Sequence, residues 1–205
     1  MKSKKSESKY KTSNKGHLLI MSGPSGAGKG TVVCELLRRM PEIMLSVSAT
    51  TRKPRNGEVD GVSYFFINEE EFLSMISNGE FLEYDRHFEN YYGTPVKYVF
   101  ENLEQGKDVL LEIDIAGAKQ VKEKYPEAKL FFIDAPSIDE LKRRLVCRNS
   151  ESQNQLDERL LRVEEEMKCR QIYDYVVIND TVDNAVNKII QIIKEMKIND
   201  NKTAD

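Results

Sequence analysis

A three-layer α/β fold, with helices covering both faces of a central parallel sheet, is what this sequence predicts, and three observations predict it. Short apolar runs alternate with amphipathic stretches along most of the chain, as they do where buried strands are joined by helical crossovers. A glycine-rich loop separates the first apolar run from the first amphipathic stretch. Two blocks, residues 50–92 and 148–171, break the alternation and read as insertions into the core.

In chain order, residues 1–15 (MKSKKSESKYKTSNK) carry six lysines and almost nothing to bury. Ordering them would cost backbone entropy without return, so they read as a disordered basic tail, solvated rather than a nucleic-acid arm. His17–Ser22, Val32–Met40 and Ile43–Val47 then read as strand, helix and strand. The pattern repeats: Val109–Ile113 precedes Ala116–Lys124, Leu130–Ile133 precedes Ile138–Val146, and Tyr175–Ile178 precedes Val182–Met196. Asn68 with Glu71 and Ser137 with Glu140 have the spacing of a capped first helical turn. One domain over 16–198 follows, with its core in 16–49, 93–147 and 172–198. The insertion 50–92 is rich in Arg, Gly, Tyr and Phe, with a helix expected at 69–78 and antiparallel strand character around it. The insertion 148–171 is strongly charged and reads as a helical flap, and 199–205 as a flexible C-terminus.

At 205 residues the chain can bury one substantial core. Lys+Arg (31) and Asp+Glu (34) nearly cancel, so no global field gathers the protein onto nucleic acid or an anionic membrane. An anionic ligand must be caught locally. Cys34, Cys147 and Cys169 are widely spaced, without CxxC or neighbouring histidines, which fits ordinary thiols in a reducing compartment better than a zinc site. No apolar run approaches the roughly 20 residues of a membrane span, and no apolar secretory segment opens the chain. The expectation is a soluble, cytoplasmic protein with no membrane or nucleic-acid partner.

The run Gly23-Pro24-Ser25-Gly26-Ala27-Gly28-Lys29-Gly30-Thr31 lies between LLIMS and VVCELLRRM, the strand-to-helix setting of a loop that wraps phosphate. Consecutive backbone amides must turn toward one anion there, and side chains at Gly26 and Gly28 would obstruct them. The helix N-terminus adds partial positive charge, and Lys29 a full one, toward the β- and γ-phosphates of a nucleotide. The residue after Lys29 is Gly30, not the usual Ser or Thr, so no hydroxyl at that position ligates Mg²⁺; Thr31 follows. Within LLEIDIAG, alternation places Glu112 and Asp114 on one side of a buried strand near its C-terminal end, where open α/β sheets carry their sites.

The segments SGPSGAGKGT, SVSATTRKPRNGEVDGVSYFF, GEFLEY, NYYGTP, LLEIDIAGA and VVIND stand in the order and spacing of guanylate kinases. The resemblance runs from about residue 17 to 197. It implies a three-layer P-loop kinase fold with a GMP-binding subdomain of mixed or antiparallel strands at 50–92 and a helical lid at 148–171. It also implies transfer of the γ-phosphoryl of ATP to GMP with Mg²⁺ accompanying ATP; acceptance of dGMP and the oligomeric state are left open. Several nucleoside monophosphate kinases also read GKG-T in the loop, so the Gly30 departure suits the class.

Residue by residue, the resemblance implies that Glu83 reads guanine. A carboxylate is the natural acceptor for the adjacent N1–H and N2–H₂ of guanine, whereas adenine would leave it unpaired. Ser48 and Thr94 match hydroxyls on the guanine edge, beside Gly93; Thr94 before Pro95 also has the look of an N-cap. Arg52 and Arg55 match the cradle for the GMP phosphate, with Tyr64 and Tyr92 as phenol donors. Glu112 and Asp114 match contacts to the nucleotides and to water around Mg²⁺, an ion held mainly by ATP phosphates and water rather than by a direct protein ligand; Asp114 is the stronger candidate for a GMP contact or a second-sphere metal contact, and Thr31 a further metal candidate. Arg144, Arg148 and Arg159 match lid arginines that close on the phosphates, and Arg162 reads equally as a fourth or as a solvent-facing residue. Asn179 matches a position near the ATP adenine and is otherwise a turn residue. Other small-molecule kinases lack the combined TTRxPRxGE, FLEY and NYYG set. A non-catalytic module of the same fold typically has a degraded phosphate loop, which this chain does not.

Overall fold

The computed structural model describes residues 15–87, 89–146 and 166–203. In chain order its elements are β1 (Leu18–Ser22), α1 (Lys29–Arg39), β2 (Met44–Leu45), β3 (Ala49–Thr50), β4 (Phe65–Phe66), α2 (Glu69–Ser77), β5 (Phe81–His87) and β6 (Asn90–Pro95). Then follow α3 (Val96–Glu104), β7 (Val109–Glu112), α4 (Ile115–Lys124), β8 (Lys129–Asp134), α5 (Ile138–Val146), a 3-10 turn at Cys169–Ile172, β9 (Tyr175–Ile178) and α6 (Val182–Thr203). The main sheet runs β2-β7-β1-β8-β9, every neighbour parallel. A second, mixed sheet runs β4-β3-β6-β5, parallel only between β3 and β4.

Two cores form because successive strand residues point to opposite faces. Leu19 and Met21 join Leu110, Phe131 and Ile133 under α1 and α6, where Val33, Leu36, Val186 and Ile193 are buried. Leu18 and Ile20 join Val109, Leu111 and Phe132 under α3 and α4, with Val99, Leu103 and Val121. A third, small core holds α2 on the second sheet: Phe72 stacks on Phe81 at 4.4 Å and on Tyr91 at 5.3 Å.

The expected helix starts are present, with Glu71 N–H on Asn68 Oδ1 at 2.8 Å and Glu140 N–H on Ser137 Oγ at 3.1 Å. Four expectations change. The strand expected over Ile43–Val47 shrinks to Met44–Leu45, because after Ser46 N–H reaches Leu110 O the chain leaves for the second sheet at Ala49. Helix α3 was not anticipated, although Val96, Val99, Phe100 and Leu103 have helical spacing. Its cap is Pro95, with no side-chain bond, so Thr94 is not an N-cap. Helix α6 runs on to Thr203 rather than ending at Met196, with Asp200 pairing back to the His17 ring at 2.6 Å. The tail at 1–14, and Cys147 with most of the charged flap, lie outside the described residues. Among those residues no helix is long and apolar enough to cross a membrane.

One polar cluster ties the beginning of β1 to the last helix. Asp108, 4% exposed, accepts from the His17 backbone N–H at 2.9 Å, lies 3.0 Å from the His17 ring nitrogen and pairs with Lys197 at 2.8 Å. Burial alone would raise the Asp108 carboxyl, but its bonds to His17 and Lys197 outweigh that and hold it at about 2; His17 is raised, first by its bond to Asp108. A lowered carboxyl contributes stability above its unfolded value of 3.8 and loses it as pH falls through about 2. A raised histidine contributes below its unfolded value of 6.5 and loses that part as pH rises through its folded value. The Asp108→Asn variant is therefore expected to lose about 1–2 kcal/mol of stability between about pH 4 and 6.5. Urea denaturation across pH checks this: the gap from the parent protein should narrow toward pH 2 and, in part, once His17 deprotonates.

Candidate active site

The phosphate loop is held from its outer side. Gly26 and Gly28 take positive φ of 87° and 82°, and a Cβ on Gly28 would stand 2.6 Å from the Asn179 side-chain nitrogen. That nitrogen donates to Ala27 O at 2.7 Å. Arg144, anchored on Glu140 at 2.7 Å, donates to Asn179 O at 3.1 Å and to Ala27 O at 3.4 Å. The end of β9 and helix α5 thus grip a loop carbonyl, while the first-turn amides of α1 lack intrahelical acceptors and remain for an anion. A carboxylate already exploits this region: Ser25 N–H donates to Glu166 Oε2 at 3.2 Å. Lys29 opens α1.

Beside the loop, a cavity of about 160 Å³ lies between the second sheet and the C-terminal end of β7. Ser48, Tyr64, Glu83, Tyr92, Gly93, Glu112 and Asp114 all line it. Toward one end stands Arg52, its guanidinium 5.4 Å from the Tyr64 ring centre, and that ring lies 6.1 Å from Tyr92. Arg52 is forked onto Glu58 at 2.8 and 2.9 Å, and Glu58 also accepts from Arg55 N–H at 2.6 Å. Glu58 is a site residue that sequence reasoning passed over; its signal was the conspicuous GE after the two arginines.

Glu83, on β5, is only 6% exposed. One of its oxygens accepts from Thr94 Oγ1 at 2.6 Å, and the other stands 2.8 Å from where a Cβ on Gly117 would be. Only a glycine lets the first turn of α4 come so close. Burial raises the Glu83 carboxyl to about 7, with the Thr94 bond opposing and the Asp114 charge adding to the rise.

Glu112 and Asp114 are not the buried pair on one strand that alternation suggested. β7 ends at Glu112, which is exposed, and Asp114 is the N-cap of α4, its Oδ1 accepting from Gly117 N–H at 2.7 Å. The chain leaves the extended conformation at the end of β7, so the two carboxylates sit on different elements although both line the cavity. Glu112 turns toward the phosphate loop, its Oε1 3.4 Å from a Cβ placed on Gly30, while Asp114 faces the cavity. Asp85 and His87 also line that cavity, as their alternation with Glu83 on β5 would have allowed. Arg148, Arg159 and Arg162 lie outside the described residues.

Comparison with known proteins identifies the family. The family model described as guanylate kinase matches residues 15–196. A guanylate kinase of Clostridioides difficile is 52% identical over 183 residues, 89% of each chain, and one of Caldanaerobacter subterraneus is 52% identical over 178 residues, 87% of this chain and 86% of that one. The crystal structure of guanylate kinase from Anaplasma phagocytophilum aligns with TM-score 0.71 at 35% identity, covering 89% of this chain and 87% of that one. Since these matches span both sheets and nearly the whole chain, the chain belongs to the guanylate kinase family of ATP:GMP phosphotransferases.

Proposed function

We propose that this protein transfers the γ-phosphoryl group of ATP to GMP, giving ADP and GDP, with the loop at 23–31 holding the donor and the 160 Å³ cavity holding the acceptor. The observation that carries the reading is Glu83: a buried carboxylate that lines the cavity and, among the described residues, takes its one side-chain hydrogen bond from the Thr94 hydroxyl. Guanine supplies two donors along one edge, and adenine leaves the carboxylate unsatisfied. Ser48 and Thr94 complete that edge. Arg52, Arg55, Tyr64 and Tyr92 receive the GMP phosphate, with Glu58 fixing the Arg52 fork in advance.

Loop amides, the α1 N-terminus and Lys29 hold the ATP phosphates, and Arg144 brings charge to the transferring group. Asn179 serves the donor by bracing the loop through Ala27. The GMP phosphate is already an anionic nucleophile, so no general base is required and alignment does most of the work. Oxygen groups near the loop suit Mg²⁺, which prefers oxygen ligands and keeps its waters: held mainly by the ATP phosphates and water, the ion would be approached by Glu112, which reaches toward the loop at Gly30, and by Thr31, with Asp114 acting at most through water. When bound with ATP, the ion supplies neutralisation of charge on the β- and γ-phosphates. Arg148 and Arg159, which lie outside the described residues, are assigned to the phosphates by the family resemblance alone.

Purified protein with Mg-ATP should release ADP rapidly with GMP and at least about a hundredfold less efficiently with AMP, CMP or UMP; equal rates across the four would remove Glu83 from its role. Lys29→Ala should lower kcat by about a hundred- to a thousandfold with an unchanged circular dichroism spectrum.

GMP needs ionised Glu83, whose carboxyl sits at about 7 in the empty site. GMP affinity measured by calorimetry should therefore fall about tenfold per pH unit below 7 and level off above it. Glu83→Gln should bind GMP about ten- to a hundredfold more weakly at pH 8 and lose this component of the pH dependence, keeping only that of the GMP phosphate.

A further inference from the structure

Three donors on the cavity wall play no part in reading guanine through Glu83, Ser48 and Thr94. Asp85 and His87 lie on the same face of β5 as Glu83, and Asp114 caps the helix that packs on that strand. The His87 Nε2 atom is 3.3 Å from Asp114 Oδ2 and 3.7 Å from Asp85 Oδ2. Ligand atoms of all three residues lie within 4.8 Å of one another. Two atoms bound to one ion at about 2.0–2.1 Å stand roughly 3.0–3.4 Å apart in octahedral or tetrahedral geometry; the His87–Asp114 pair already meets that spacing, and Asp85 must draw in to share an ion.

Both carboxylates are oriented for this. Asp114 Oδ1 is taken by Gly117 N–H at 2.7 Å and Asp85 Oδ1 by Arg86 N–H at 2.7 Å, which leaves the Oδ2 of each turned toward the histidine. Backbone bonds of this kind fix metal-ligating carboxylates in advance. The field agrees: the described cavity lining holds four carboxylates, Glu83, Asp85, Glu112 and Asp114, and no lysine or arginine. An imidazole with two carboxylates suits zinc, cobalt, nickel or manganese better than magnesium or calcium, and three protein donors leave an open coordination position.

We propose that Asp85, His87 and Asp114 form a binding site for one divalent transition-metal ion of the zinc class, and that the bound ion excludes GMP. The ion sits within the acceptor cavity and takes the Asp114 oxygen that faces it. Binding of the ion stands independently of the proposed activity; only the exclusion of GMP rests on that reading.

The test uses the full chain stripped with chelator. Zn²⁺ titrated by calorimetry, and Co²⁺ followed by its visible absorption, should each bind at one ion per chain. His87→Gln and Asp85→Asn should each weaken binding at least about tenfold, and Cys34→Ser should leave it unchanged. No binding below millimolar Zn²⁺, or binding indifferent to both His87→Gln and Asp85→Asn, overturns the site and leaves His87 as an ion-pair partner. GMP affinity is then measured without ATP at rising Zn²⁺. It should fall in the parent protein and much less in His87→Gln, which corrects for zinc bound by the nucleotide itself. One bound zinc with unchanged GMP affinity overturns the exclusion. A metal-free protein that binds no GMP, yet takes up one zinc lost in the His87 variant, overturns the reading of the acceptor cavity and not the metal site.

Discussion

A buried carboxylate that must ionise is the constraint on which the proposed acceptor half of this molecule depends. Glu83 is 6% exposed and has a single side-chain donor, Thr94. Its carboxyl lies at about 7 against an ordinary 4.5, so ionising it in the empty site costs about 3 kcal/mol. The fold carries that cost where a second pair of donors from a ligand can offset it. Gly117 lets α4 approach closely enough to dry the carboxylate, and the β5–β6 pairing places Thr94 directly opposite Glu83. On the proposed reading the cavity selects its base for the same reason that it is costly: a base without the two donors would leave the charge unpaired.

The proposed donor half faces the complementary problem of gathering amides around an anion. Its loop is contiguous in sequence but held by residues remote from it, Asn179 from the end of β9 and Arg144 from α5. Both come to the loop's side of the sheet because the strand order puts β8 next to β1 and β9 next to β8. The two halves meet at the C-terminal edge of the main sheet, where β7 delivers Glu112 toward the loop and Asp114 toward the cavity. Parallel topology is what brings donor and acceptor together there.

What was legible in the sequence follows from the range of the interactions concerned. Strands of the main sheet are buried on both faces and read as apolar runs, so β1, β7, β8 and β9 were plain, and the phosphate loop was readable because its chemistry is local. The ribbon from Ala49 to Pro95 is made of strands as short as two residues, too brief for periodicity, and there the resemblance carried more than the pattern did. Alternation misled at Asp114, because it assumes that a strand continues, and a capping aspartate ends one. Thr94 resembled a cap from its neighbour Pro95, yet its hydroxyl goes to Glu83 across a hairpin. The Glu58–Arg52 fork and the turning of Asp85 and His87 toward Asp114 depend on tertiary folding, and spacing alone does not express them.

The claim on which the account turns is that Glu83 is desolvated in the empty protein and charged when guanine arrives. Carbon-13 NMR of the glutamate side-chain carboxyls, assigned through Glu83→Gln and titrated with and without saturating GMP, measures this directly. The account predicts a midpoint for Glu83 at about 7 without ligand, displaced downward by at least about one pH unit when GMP is bound. A midpoint in the ordinary carboxylate range without ligand, or one that GMP leaves in place, would contradict it.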